Sequence, residues 1–245
     1  MFSGLKNHPF AVKAFFESSI VLTFAVAKEQ LTRLIPPCLE LDTFDNKYGF
    51  IAVAMVQTTK LRPDGFPGFM GNNFFLIGYR VFVRYTDNAG KNLRGLYILK
   101  SETDKRKMEI LGNIFTHYNY TTTDIKQVES GDIRTFESAK SDFKVSIDVA
   151  EGDVALPANS PFNDWKEARR FAGPLPFTFR FNAATKEVLI IEGVRQNWTP
   201  KPIKVIDHRF SFFDALNIEN PVLANAFIIN KVPYYWKKGK LEIWK

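Results

Sequence analysis

The chain has 245 residues, 45% hydrophobic and 24% charged, with a formal net charge of +7, enough to bury roughly three-quarters of the surface its unfolded form exposes. Its basic residues are scattered and become dense only towards the end, at Lys231, Lys237, Lys238, Lys240 and Lys245; without a nucleic-acid motif this reads as a solvated, frayed tail, so no nucleic-acid partner is expected. No run nears the roughly 20 apolar residues of a membrane span, and MFSGLKNHPF lacks the pattern of a signal peptide, so the reading is no membrane partner and a cytoplasmic location.

Along the chain, Ser19–Val26 reads as a strand and Lys28–Ile35 as a short helix with Leu31, Leu34 and Ile35 on one face. Pro36 and Pro37 stop it. Leu39–Asp42, a turn at Asp45–Lys47 and Tyr48–Val56 are expected to form a hairpin. Arg62–Gly68 is a loop on its glycines and prolines. Asn73–Tyr85 alternates, and Asp87–Gly90 turns it back into Arg94–Leu99 as a second hairpin. The longest helical pattern runs from Glu102 to Phe115, with Ser101 or Thr103 as cap. Tyr118–Val128, Ile133–Ser138 and Asp142–Val149 read as a meander. After the loop at Pro157–Pro161, Phe162–Phe171 is a helix that starts near Asn159 or Ser160. Phe177–Asn182, Val188–Gln196 and Lys204–Phe210 are strands, Leu216–Ala226 is a loop region, and Ala226–Ile229 and Val232–Trp236 close the chain. There is no internal repeat, and strands on both sides of Pro157–Pro161 look incomplete alone, so residues 1–245 are read as a single domain. Many strands with few short helices make a mainly β (β-rich α+β) fold, a barrel or sandwich of antiparallel sheets.

Three ordered segments carry a resemblance. The first is Leu34-Ile35-Pro36-Pro37-Cys38-Leu39-Glu40-Leu41-Asp42. The second runs from Tyr79 to Gly112 and includes Gly95-Leu96-Tyr97-Ile98-Leu99 and Glu109-Ile110-Leu111-Gly112. The third is Val194-Arg195-Gln196-Asn197-Trp198-Thr199-Pro200. Together they resemble the acetoacetate decarboxylase-like superfamily, and the middle one is similar to a bacterial branch with a central arginine in the strand before a glycine-led aromatic strand. The resemblance implies a cone-shaped double β-barrel around a central cavity, often assembled as a homo-oligomer.

It also exposes a departure. A Schiff-base decarboxylase needs a neutral lysine, whose pKa must fall by several units through burial or a neighbouring cation. The resemblance places two adjacent lysines after a proline, beyond an Arg-Glu pair on the helix. Here residues 108–120 read Met-Glu-Ile-Leu-Gly-Asn-Ile-Phe-Thr-His-Tyr-Asn-Tyr. No Pro-Lys-Lys occurs in them, Met108 stands in the arginine's place and only Glu109 matches. The acid expected before the Arg80 strand is absent too, with Asn72 and Asn73 nearby. Schiff-base decarboxylation is therefore not expected.

The candidate residues each carry two readings. Lys100 is a solvated strand end or a cavity-facing cation. His117 and Tyr118 are a hydrogen-bonded strand entrance, or, with Tyr120, polar groups on a ligand; a histidine also titrates near neutral pH without a large shift. Glu109 is a surface charge or an acid. Arg80, flanked by Gly78, Tyr79, Val81 and Phe82, needs a partner, because an unpaired buried charge is costly; an internal carboxylate is the first expectation and a ligand carboxylate the second. Trp198 is a packed tryptophan or a pocket wall. The 24 phenylalanines fill a core or line an aromatic pocket. The lone Cys38 excludes internal disulfides and cysteine-rich metal sites, and His8, His117 and His208 lack metal-ligand spacing. No metal and no cofactor are expected.

The leading expectation is a protein that binds a small organic acid or carbonyl compound in a central barrel cavity, through Arg80, Lys100, His117, Tyr118, Tyr120 and Trp198. One alternative is a lyase-type or hydrolase-like enzyme in which His117 and Glu109 act as acid and base. The other is a structural or interaction protein with a filled core.

Overall fold

The computed structural model describes residues 3–244 except 151, 174 and 197; Asn197 of the third segment and Lys245 of the basic tail lie outside the described residues. The elements in order are β1 (Val12–Ala27), α1 (Lys28–Thr32), β2 (Glu40–Leu41), β3 (Tyr48–Pro63), β4 (Asn72–Thr86), β5 (Asn92–Thr103), α2 (Arg106–Phe115), β6 (Tyr120–Thr122), β7 (Lys126–Ser130), β8 (Ile133–Ser138), β9 (Phe143–Asp148), α3 (Trp165–Ala172), β10 (Phe177–Asn182), β11 (Glu187–Arg195), β12 (Lys201–Pro202), β13 (Lys204–Phe210), α4 (Ser211–Ala215), β14 (Val222–Trp236) and β15 (Lys240–Ile243). The protein is mainly β, with a large 11-stranded sheet and a second, 4-stranded one.

Within the large sheet, β14, β1, β3, β4, β5, β10 and β11 pair in that order, and β11 returns to β14 through Gly193↔Trp236 and Arg195↔Tyr234. The ring is therefore closed, which removes exposed edges along it. Most pairings are antiparallel, as expected, but β5 takes both β6 and β10 in parallel, so the sheet is mixed.

The long β3 shows how sequence sets the two faces. Phe50–Val56 is buried throughout because both faces are covered. Ile51, Val53 and Met55 join the main core, where Phe136, Phe143, Val145, Ile147 and Phe210 of the second sheet also sit. The alternate residues Ala52, Ala54, Val56 and Thr58 face the barrel interior. Ala168 and Ala172 of α3 cluster with Phe50, Phe82 and Leu96. Inward positions are often small, which leaves space inside.

A bulge in β5 matters for the site. The register runs Tyr79↔Lys100 and then Arg80↔Ile98, so Leu99 is the extra residue. One inserted residue reverses which face every later side chain meets. Structural charges come with their counterions: Asp42, fully buried, binds Arg84 Nε at 2.6 Å and Arg94 Nε at 2.7 Å, tying β2 to β4 and β5.

Several expectations are corrected. β2 pairs with β4 rather than turning into β3, so the first hairpin reduces to a single bridge, Phe44↔Tyr48. Glu102 and Thr103 continue β5, and α2 begins at Arg106; Thr103 Oγ1 accepts from Lys105 N at 3.3 Å, before the helix. Tyr118–Val128 splits into β6, on the large sheet, and β7, on the small one. Asp164, not Asn159 or Ser160, caps α3 by accepting from Glu167 N. α4 occupies Ser211–Ala215, and the last two expected strands are one, β14, with Lys231 at a φ of 54°. The basic end is not frayed: β15 pairs with β11, and Lys240 and Lys237 form ion pairs with Glu242 and Glu192. No helix among the described residues is long and apolar enough to cross a membrane.

Candidate functional site

The barrel encloses a cavity of about 460 Å³, inside the roughly 300–1,000 Å³ range of small-molecule sites. This is not the interior of the filled-core alternative. Its walls are apolar, with Phe16, Val21, Phe74, Leu76, Phe82, Ile98, Phe227 and Ile229 from the strands and Met108, Leu111 and Phe115 from α2. Only part of the phenylalanine excess is spent here; Phe24, Phe143, Phe210 and Phe213 pack in the main core.

The polar lining is one-sided in charge. Arg62, Arg80 and Arg195 line the cavity, and no aspartate, glutamate or lysine does among the described residues. Arg62 donates from Nε to Phe66 O and from Nη1 to Lys60 O. Arg195 donates from Nη2 to Leu175 O at 2.7 Å, and its Cζ lies 5.5 Å from the ring centres of both Trp198 and Tyr234, a cation–π sandwich.

Arg80 differs from both. The internal carboxylate expected for it is missing: among the described residues it has no ion pair and no hydrogen bond, and its Nε is buried without an acceptor. Burial pulls its pKa down, nearby Tyr234, Tyr120 and Tyr118 oppose that, and Arg195 adds to it; a guanidinium nevertheless stays charged. Its side chain folds back along β4, since a Cβ on Gly78 would sit 3.0 Å from Arg80 Nε. Gly78 thus makes room for the guanidinium.

The phenols around it are neutral groups. Burial pushes Tyr118 up to about 12 and Tyr120 further above the usual tyrosine range. Tyr118 Oη lies 3.1 Å from Thr178 Oγ1. The strand start carrying Tyr120 is clamped by Asn113 of α2, which donates from Nδ2 to Tyr120 O and accepts from Tyr120 N. These groups can orient a polar ligand but cannot neutralise the arginines.

Of the sequence-derived candidates, Arg80, Tyr118, Tyr120 and Trp198 come together on the cavity wall, while Lys100, His117 and Glu109 do not line it. The β5 bulge puts Ser101 inward and Lys100 outward, where its Nζ pairs with Glu102 Oε1 at 2.8 Å and lies 5.2 Å from the Phe212 ring centre. His117 Nε2 is 3.2 Å from Asn7 Oδ1, and its pKa is lowered, first by burial and then by Arg180 and Lys6. Glu109 Oε2 accepts from the amide and the hydroxyl of Thr122, pinning α2 to β6. His117 and Glu109 thus hydrogen-bond to different partners, Asn7 and Thr122. Sequence reasoning passed over Arg195, Thr178 and Tyr234. Arg195 had a signal: Gly193-Val194-Arg195 repeats Gly78-Tyr79-Arg80 on another strand, and Gly193 leaves space for Tyr234 Oη, which its Cβ would meet at 2.1 Å.

Residues 14–234 match the family model DUF2071, described as an uncharacterized conserved protein. The chain belongs to this family. Comparison with curated proteins gives no match. Among solved structures, this DUF2071 chain is similar to an acetoacetate decarboxylase from Legionella pneumophila, with 12% identity and a TM-score of 0.61 over 96% of this chain and 88% of that one. It is also similar to an acetoacetate decarboxylase-like enzyme from Sphingomonas wittichii RW1, at 10% identity and a TM-score of 0.61 over 98% and 96%. A third is the enduracididine biosynthesis enzyme MppR complexed with pyruvate, at 11% identity and a TM-score of 0.57 over 95% and 90%. The fold of this DUF2071 protein is thus the acetoacetate decarboxylase-like one that the three segments implied.

Proposed function

We propose that this DUF2071 protein binds a small organic acid in its barrel cavity, with the carboxylate on Arg80 and an apolar body against the phenylalanine and aliphatic walls. The observation that carries this reading is the Arg80 guanidinium, which lines an apolar cavity and has no counterion among the described residues. A carboxylate would meet it with charge-assisted hydrogen bonds. Tyr118, Tyr120 and Tyr234 supply hydroxyls for a carbonyl or hydroxyl on the same compound. A structural neighbour, MppR, is described as complexed with pyruvate, which supports the class of ligand.

The chemistry is binding without an imine. Schiff-base catalysis needs an amine in the cavity, and no lysine lines it among the described residues. The ring draws strands from both sides of the Pro157–Pro161 loop, which supports the reading of one domain over residues 1–245. A thermal-shift screen of keto acids and aromatic or aliphatic acids tests the function. At least one acid is expected to raise Tm in the wild type and to lose that effect in Arg80→Ala. Stabilisation that survives Arg80→Ala would overturn the assignment of Arg80 as the contact, and no stabilisation by any acid would overturn the acid-binding reading.

A further inference from the structure

Besides Arg80, a second arginine of the ring, Arg195, lines the cavity and carries no carboxylate partner among the described residues. Arg80 on β4 and Arg195 on β11 both line the cavity, each two residues after a glycine on its own strand. Gly78 clears the path of Arg80 itself, and Gly193 clears Tyr234, whose ring supports the Arg195 guanidinium. The aromatic faces of Trp198 and Tyr234 fix Arg195 in place, and among the described residues only its Nη2 has an acceptor, Leu175 O. The Arg195 charge also lowers the Arg80 pKa, a smaller effect than burial.

Nothing in the lining offsets them. The cavity has no aspartate or glutamate among the described residues, and the buried phenols Tyr118 and Tyr120 hold their protons well above neutral pH. A ligand with one carboxylate leaves one positive charge uncompensated in an apolar enclosure, an arrangement proteins avoid. A ligand with two acidic groups balances both.

Resting on the reading of this cavity as an acid site, we infer that its ligand is a dianion, most simply a dicarboxylic acid, with one acidic group on Arg80 and the other on Arg195. The apolar walls of the cavity suit a hydrocarbon spacer, and the tyrosines take any hydroxyl or carbonyl it carries.

Isothermal titration of the full chain tests this with three pairs of probes: succinate and butyrate, adipate and hexanoate, suberate and octanoate. In the wild type, at least one dicarboxylate is expected to bind at least tenfold more tightly than the monocarboxylate of equal length, the difference one good charged contact makes. Arg195→Gln is expected to weaken that dicarboxylate about tenfold more than its monocarboxylate, and Arg195→Lys to retain part of the preference. Equal affinities within every pair, or a preference untouched by Arg195→Gln, would overturn the dianion and leave the acid site standing. Binding of neither class would overturn both. The wild-type comparison decides the charge count by itself should Arg195→Gln fail to fold.

Discussion

Replacing Arg80 with methionine should make the ligand-free protein more stable, the opposite of what most buried substitutions do. Methionine keeps an unbranched stem of similar length and adapts to irregular space, so the packing change costs less than about 1.5 kcal/mol. Against this stands the partial desolvation of a guanidinium that has no carboxylate partner among the described residues and a buried Nε without an acceptor, a fraction of the several kcal/mol that a fully buried ion costs. The net expectation is a gain of about 1–3 kcal/mol, which for a chain of this length raises Tm by about 2–4 °C per kcal/mol. Urea unfolding of wild type and Arg80→Met, each shown ligand-free by native mass spectrometry, measures the difference directly. The same variant should lose stabilisation by acids. A loss of more than about 1 kcal/mol in the ligand-free variant would mean that the guanidinium already has a stabilising partner, and the argument for an external anion would fall.

Other perturbations follow from the same contacts. Asp42→Asn strips the fully buried counterion from Arg84 and Arg94, and should cost about 3–5 kcal/mol in a urea titration. His8 is held by burial at a pKa of about 4 in the folded protein, below its unfolded value of about 6.5. The unfolded chain therefore takes up the proton first: this contribution is complete above about pH 6.5 and is lost as pH falls towards 4, to a limit of order 3 kcal/mol. Stability–pH curves of wild type and His8→Gln should diverge across that window, and parallel curves would refute it. Pyruvate with borohydride should leave no reduced adduct on any lysine by peptide mass spectrometry, because Lys100 is held by Glu102 outside the cavity; an adduct on Lys100 would contradict that placement.

How legible this was in the sequence depended on whether the relevant contact was local. The β4–β5 hairpin was readable because Asp87–Gly90 sits between two alternating runs, and the observed register bears it out. The partner of β2 was not, since a two-residue strand carries no period and its pairing with β4 is set by Asp42 reaching Arg84 and Arg94. α4 was hidden because five residues carry too little of a helical period, while Phe213 packs on Phe24 and Phe212 on Tyr79 across the core. For the site, Arg80 stood out as a charge in an apolar alternating strand. Lys100 looked equivalent because strict alternation puts it on the same face as Leu96 and Ile98. The bulge at Leu99 breaks that parity, and no glycine or proline marks it. Arg195 was masked by reading its segment for the tryptophan turn rather than for the glycine two residues before it.

The contrast between the two kinds of charge in this molecule is what gives the cavity its meaning. Where a charge holds the fold together, the sequence supplies the opposite one: Asp42 between Arg84 and Arg94, Glu102 beside Lys100, Glu242 beside Lys240. Inside the barrel that pattern stops. Gly78 and Gly193 give up side-chain packing to seat Arg80 and Tyr234, and Ala52 and Ala54 keep the interior open where larger residues would fill it. Each of these choices costs stability, through backbone entropy, lost packing or an unpaired charge. Such costs concentrate where a protein handles a ligand. A glycine or an alanine alone would be unremarkable. Their alignment around Arg80 and Arg195, neither of which has a carboxylate partner among the described residues, is what supports the proposal of an acidic ligand.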